Sequence, residues 1–208
     1  MRARFALLAA HCACEWREVL LRDKPAALRE VSPKATVPVL VEPDGHVIDQ
    51  SLEIMLWALR QRDPTRWLQP EQGTLDAMLA LIARCDGGFK ADLDRYKYPN
   101  RFQGADALHH RTAGMTFLNE LDQRIAAEGF LFGSQPALAD MAISPFARQF
   151  AQVDLAWFEA SAGAPLRGWL AALTSSALWE RAMRKQMPWT PGDPVCVFPE
   201  PEPDPAMG

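Results

Sequence analysis

The chain of 208 residues is poor in the groups that usually announce a reactive or metal-bound site: two tyrosines, four cysteines and four histidines. Cys12, Cys14, Cys85 and Cys196 are too scattered for a disulfide framework, and Cys12-x-Cys14 has neither zinc nor redox-motif spacing. They read as small, buried, chemically idle thiols. His109 and His110 are adjacent, so on a helix they point about 100° apart, and no metal site is expected. Basic residues show no excess: 22 Lys and Arg against 26 Asp and Glu leave a net charge of −4, which argues against a nucleic-acid partner. No apolar run approaches the ~18 residues of a membrane helix. Met1-Arg2-Ala3-Arg4 followed by Phe5 to Ala10 imitates a signal peptide, but its apolar part falls short of the ~7–15 residues required. A helix and a cytoplasmic location are expected instead.

What the chain does have is a hydrophobic content of 49%, enough for one or two compact cores. Its most informative stretch runs from Thr36 to Trp57. Val37 to Val41 has strand character, Pro43-Asp44-Gly45 is a turn with proline presetting φ and Asp-Gly tolerating φ > 0, and His46 to Ile48 returns as a second strand. Gln50-Ser51 then opens a helix with Leu52, Met55, Leu56 and Leu59 at helical spacing. Pro38 inside a strand cannot donate to a ladder. A cis bond there would turn the N–H and C=O of Val37 outward toward a ligand. The open N–H groups and dipole at the helix start beside Gln50 and Ser51 would attract a carboxylate.

Upstream, Arg2 to Ala10 is expected as a helix, Trp16 to Leu21 as a strand and Ala26 to Val31 as a short helix behind Pro25. Arg62 to Gly73, with Asp63, Pro64 and Pro70, marks a domain boundary. Beyond it the pattern is helical throughout. Leu75, Met78, Leu79 and Ile82 repeat at helical spacing, and Ala105 to Ala127 forms a long helix with Leu108, Met115, Leu118, Leu121 and Ile125 on its buried side. Met141 to Ala151, Leu166 to Leu173 and Ala177 to Arg184 complete the set. From Pro188 the chain is rich in proline and acids and is expected to be extended or disordered, with Trp189, Val197 and Phe198 able to pack back onto the body.

Ser32-Pro-Lys-Ala-Thr-Val-Pro-Val-Leu40 followed by Val47-Ile-Asp-Gln-Ser51 resembles the glutathione-binding half of cytosolic glutathione transferases, and Lys24-Pro25 resembles the Lys-Pro pair of their omega-like members. The resemblance spans about Met1 to Met187. It implies a thioredoxin-like α/β domain over residues 1–63, an all-helical domain over 74–187 and a Pro-rich acidic tail over 188–208. It implies that Lys24, Val37, Pro38, Gln50 and Ser51 bind glutathione as a substrate, that a small electrophile or disulfide is the second substrate, and that the protein is a homodimer. Tyr96 or Tyr98 would stand in the wall of an acceptor pocket. Asp140 matches the aspartate of a buried capping box, a structural role, although Ala137 lacks the oxygen that normally completes the box, at a cost of about 1 kcal/mol. Many bacterial relatives read Cys-Pro-Tyr-Ala-Met-Arg-Ala-Arg where this chain begins Met1-Arg2-Ala3-Arg4. The family's first strand and activating residue would therefore precede Met1, and no residue here is assigned as catalytic. An internal Met taken as the start is the leading expectation. A shortened, non-catalytic glutathione-binding or interaction module is the alternative.

Overall fold

The structure is a computed structural model, and it describes residues 1–200. Two compact units divide the chain: Met1–Thr65 together with the segment from Ala177 onward, and Arg66–Ser176 between them. The last helix and the described part of the tail thus belong to the first unit, whereas the sequence boundaries assigned that helix to the helical domain.

The first unit opens with α1 (Arg2–Ala10), followed by β1 (Cys14–Glu15), α2 (Ala26–Val31), β2 (Leu40–Val41), β3 (Val47–Ile48) and α3 (Ser51–Gln61). Nearly every residue of α1 is buried, because the helix packs against α3 on one side and α10 (Ala177–Met183) on another. An all-round apolar surface such as Phe5 to Ala10 suits that position. Ala3, Ile48 and Ile54 form one core cluster, flanked by Leu40 and Trp57.

β2 and β3 form an antiparallel hairpin with Leu40 opposite Ile48 and Val41 opposite Val47. The Pro43-Asp44-Gly45 turn closes as its residues dictate. Gly45 takes φ 90° and donates its N–H to Glu42 O at 2.9 Å, and Asp44 Oδ1 accepts the His46 N–H at 2.9 Å. The strand expected over Val37–Val41 is shorter, Leu40–Val41, and its partner begins at Val47 rather than His46. Pro38 has no N–H to extend the ladder toward Val37.

The strand expected over Trp16–Leu21 is also displaced. The ladder lies at Cys14–Glu15, and only isolated bridges follow, at Glu18 and Leu20. Its partner is β4 (Val197–Phe198), antiparallel, with Cys14 opposite Phe198 and Glu15 opposite Val197. The described part of the tail therefore packs on the body and pairs with a strand, as Trp189, Val197 and Phe198 allowed, rather than standing extended or disordered; residues 201–208 lie outside the described part. The tail reaches strand β1 and its continuation twice. The Trp189 N–H donates to Glu18 O at 2.9 Å, a turn closed by Thr190 and Asp193 reverses the chain, and the Trp16 N–H then donates to Cys196 O at 2.7 Å. Pro188 pairs with Glu18 but cannot donate, so the ladder stops there. Trp16 and Phe198 meet edge to face at 5.1 Å, which buries Phe198.

The second unit contains α4 (Leu75–Arg84), a π-helical turn at Cys85–Phe89, α5 (Lys90–Lys97), α6 (Ala107–Glu128), α7 (Leu138–Ala151), α8 (Leu155–Ser161) and α9 (Ala164–Thr174). Three helix starts are capped by side chains: Thr74, Asp106 and Asp154 accept first-turn N–H groups. α6 buries Met115, Leu118, Leu121 and Ile125 as its spacing predicts, but Leu108 is exposed, before the buried stripe begins. α7 starts at Leu138, not Met141, because Asp140 at its third position accepts the Ala137 N–H at 2.9 Å and fixes the helix start there. Asp140 also accepts the Leu131 N–H at 3.0 Å and the Trp169 Nε1–H at 2.8 Å. Burial pushes this carboxyl up to about 6, against the pull of those three donors.

Candidate functional site

The five residues expected to bind glutathione fall in the first unit. Val37 and Pro38 border a cavity of about 690 Å³, and Val37 is 45% exposed. The Val37–Pro38 bond is cis. Val37 makes no hydrogen bond within the described residues, so its N–H and C=O are available. Lys24, half-buried, and Gln50, exposed, do not border that cavity, nor does Ser51.

Gln50 is the N-cap of α3 and Ser51 its first residue, and Gln50 makes no side-chain cap bond. The first-turn N–H groups of α3 are thus left for water or an anion. Asp49 beside them is partly neutralised by Lys34 at 3.1 Å, while Gln50 Nε2 reaches Asp49 Oδ1 at 3.4 Å. Glu42 braces the hairpin against α3: it accepts from Trp57 Nε1 at 2.7 Å and pairs with His46 Nδ1 at 2.7 Å. That hydrogen bond raises the His46 pKa above its usual value.

The cavity has walls that sequence reasoning did not assign. Leu28 and Val31 of α2, Ala3 and Leu7 of α1, and Trp189 and Phe198 of the tail all border it. The wall also carries two pairs of opposite charge: Arg4 with Glu18 at 2.5 Å and Arg17 with Glu15 at 2.8 Å. Arg4 lies over the Trp16 ring at 4.1 Å and donates to the carbonyls of Ala182 and Arg184 at 3.3 Å, joining α1 to the end of α10.

None of the thiols with a shifted pKa is activated. Burial pushes Cys14 up to about 11 and raises Cys12 as well. In the second unit Tyr96 packs on Phe150 at 5.1 Å as a core ring, and burial raises its hydroxyl pKa against the pull of Arg111. Tyr98 is flanked by Lys97 and Arg101, whose charges lie 5.0 Å and 4.2 Å from its ring. Among the described residues no His, Cys, Asp or Glu cluster has the arrangement of a metal site, and no helix is long and apolar enough to cross a membrane.

A cis-proline hairpin leading into a helix, followed by an all-helical unit with a buried aspartate at a helix start, is the arrangement that the resemblance to the glutathione transferase family implies. The chain belongs to that family: residues 1–67 match the glutathione S-transferase N-terminal domain and residues 66–172 the C-terminal domain. Among solved structures it is similar to glutathione transferase Omega 3C from Trametes versicolor (TM-score 0.74, 16% identity, 90% of this chain and 85% of that one covered). It is similar to glutathione transferase URE2P6 from Phanerochaete chrysosporium, solved with oxidised glutathione (0.72, 13%, 87% and 88%). It is also similar to a family member from Pseudomonas fluorescens with two glutathione molecules bound (0.70, 15%, 87% and 86%). At these identities the likeness concerns the fold. No curated protein matches the sequence.

Proposed function

We propose that this chain binds glutathione through Lys24, Val37, Pro38, Gln50 and Ser51, and that the protein acts on small electrophiles or disulfides as a cytoplasmic homodimer. The observation that carries the reading is the exposed edge at Val37, before Pro38, with the Val37 backbone groups unpaired. An extended cysteinyl backbone pairs with such an edge, and the γ-glutamyl carboxylate suits the uncapped start of α3 at Gln50 and Ser51. Lys24, with no ion-pair partner among the described residues, supplies a positive charge for the glycine carboxylate. The ligand bound to two similar structures is glutathione or its oxidised form, which supports the same assignment.

The chemistry is that of the ligand's own thiol. Its thiolate attacks an electrophilic centre and expels a leaving group, or attacks a mixed disulfide and releases the other thiol. No residue is assigned to the activation of that thiol. Titration calorimetry with glutathione tests the binding directly: saturable heat at millimolar ligand is expected, with at least a roughly tenfold loss in Gln50→Ala/Ser51→Ala. No heat at that concentration would end the proposal. The alternative is a glutathione-binding module without turnover. Binding without conjugation of a chloronitrobenzene would select it.

A further inference from the structure

The helical unit holds a guanidinium with no hydrogen-bond acceptor among the described residues. Arg111, on the second turn of α6, has a side chain only 21% exposed. Its Cζ lies over the Trp157 ring of α8 at 4.1 Å, which covers one face of the guanidinium plane. Nη1 stands 3.8 Å from Asp154 Oδ2, an ion pair too long for a hydrogen bond. The other oxygen of Asp154 is taken by the Trp157 N–H at 3.0 Å. Arg111 Nε is buried and finds no acceptor among the described residues. The hydroxyl of Tyr96 on α5 is in the same position: the residue is 6% exposed, and its O–H is buried without a partner there. Burial raises the Tyr96 pKa, the Arg111 guanidinium pulls it down and the Asp154 charge pushes it up, so the three groups act on one place. The guanidinium is near enough to act on the hydroxyl but is not in hydrogen-bond geometry with it. Buried donors are ordinarily paired, and two unpaired ones side by side ask for a shared acceptor.

We propose that Arg111 and Tyr96 form a binding site, wholly within the helical unit, for the carboxylate group of a small molecule. Asp154 stands at Nη1, which leaves the Nε–Nη2 edge of the guanidinium. Two parallel N–H bonds from that edge match the two oxygens of a carboxylate, and the Tyr96 O–H is a third donor. An acceptor in the guanidinium plane leaves the stacking on Trp157 undisturbed. Asp154 already offsets part of the Arg111 charge, so a carboxylate monoanion suits the place better than a sulfate dianion. The nearest charged pair on the same two helices is matched internally: His110 Nδ1 meets Asp92 Oδ1 at 2.7 Å and neither is left for an occupant. The exposed part of the Arg111 side chain and Asp154, 47% exposed, mark the side open to solvent. None of these residues is among the five assigned to glutathione, and the inference does not rest on that reading.

The probe is sodium acetate, titrated into the isotope-labelled full chain at an ionic strength held constant with sodium chloride. The readout is the nuclear magnetic resonance of the Arg111 Nε–H, assigned by through-bond correlation. Acetate is expected to move that resonance saturably, with half-saturation at roughly millimolar concentration. Chloride is expected to leave it in place, and sulfate to bind more weakly than acetate. Tyr96→Phe removes a hydroxyl that has no protein partner, so it keeps the fold, and it is expected to weaken acetate about threefold to tenfold. Asp154→Asn keeps an N-cap oxygen for α8 and removes a competing charge, so it is expected to tighten acetate by at least about threefold. Should either variant fail to fold, the acetate and sulfate titrations of the unaltered chain decide. A resonance that acetate does not move would mean that water meets these donors and would overturn the assignment. An equal shift with chloride, tighter binding of sulfate, unchanged affinity in Tyr96→Phe or weaker affinity in Asp154→Asn would each overturn it too.

Discussion

The two units solve the same problem, the pairing of buried backbone, by opposite means. In Arg66–Ser176 the helices satisfy their own backbone, and what remains at their ends is met locally. Thr74, Asp106 and Asp154 cap their own helices, and Asp140 serves three donors from within the unit. The first unit depends on partners far apart in sequence. Strand β1 is held by residues 196–198, at the far end of the chain, and Trp189 reaches back to Glu18. A helical unit can thus be complete from within, whereas a small sheet is only as complete as the segments that reach it.

The sharpest way to break the comparison is Asp140→Ala. It leaves the N–H groups of Ala137 and Leu131 and the Trp169 indole without an acceptor in a buried place, each worth about 1–3 kcal/mol. A loss of at least about 3 kcal/mol is expected in urea unfolding, read from the Trp169 environment. The same carboxyl predicts a pH effect of definite sign. Its folded pKa is raised from 3.8 to about 6, so the folded state binds the extra proton. The stability this proton contributes is fully present below 3.8 and is lost as pH rises through about 6. Asp140→Asn cannot titrate, so the difference in melting temperature between it and the parent should carry that slope.

Removing the tail after Gln186 tests the other side. It takes away the buried Phe198, the Trp189 contact and the pairing with Cys14–Glu15. Losing the buried Phe198 alone is expected to cost about 1.5–3 kcal/mol, confined to the first unit and visible as faster amide exchange at Trp16. An unchanged exchange rate there would mean that the tail does not brace β1.

Smaller effects sharpen the contrast. A Cβ at Gly163 would collide with the carboxylate of Asp122, whose Oδ1 accepts the Leu166 N–H at 2.8 Å. Gly163→Ala is therefore expected to destabilise the helical unit by about 1–3 kcal/mol. Ala137→Ser has the opposite sign: a hydroxyl at this N-cap can accept a first-turn N–H of α7, for a gain of about 0.5–2 kcal/mol in chemical denaturation.

Much of this was legible in the sequence because the decisive signals are local. α1, α2 and the start of α3 stand where helical spacing, Pro25 and Gln50-Ser51 put them. The Pro43-Asp44-Gly45 turn was fixed by residues whose backbone preferences act alone. Asp140 was readable as a structural group, but not that it would gather donors from Leu131 and Trp169, which are distant in sequence. The same distance hid the pairing of Cys14 with Phe198: proline density in the tail suggested an unstructured segment, and no pattern in either stretch names the other. At the candidate site, the outward backbone of Val37 followed from a proline inside a strand. The cavity walls did not, since they come from helices and from the far end of the chain.

The tail's two grips on β1 and its continuation have a practical corollary. The exposed Thr190–Asp193 turn separates the limb that holds Glu18 from the limb that holds Trp16. A protease cutting at that turn would release a short piece that still has its own strand partner, so the nicked protein should elute from a sizing column as one body and come apart only in denaturant.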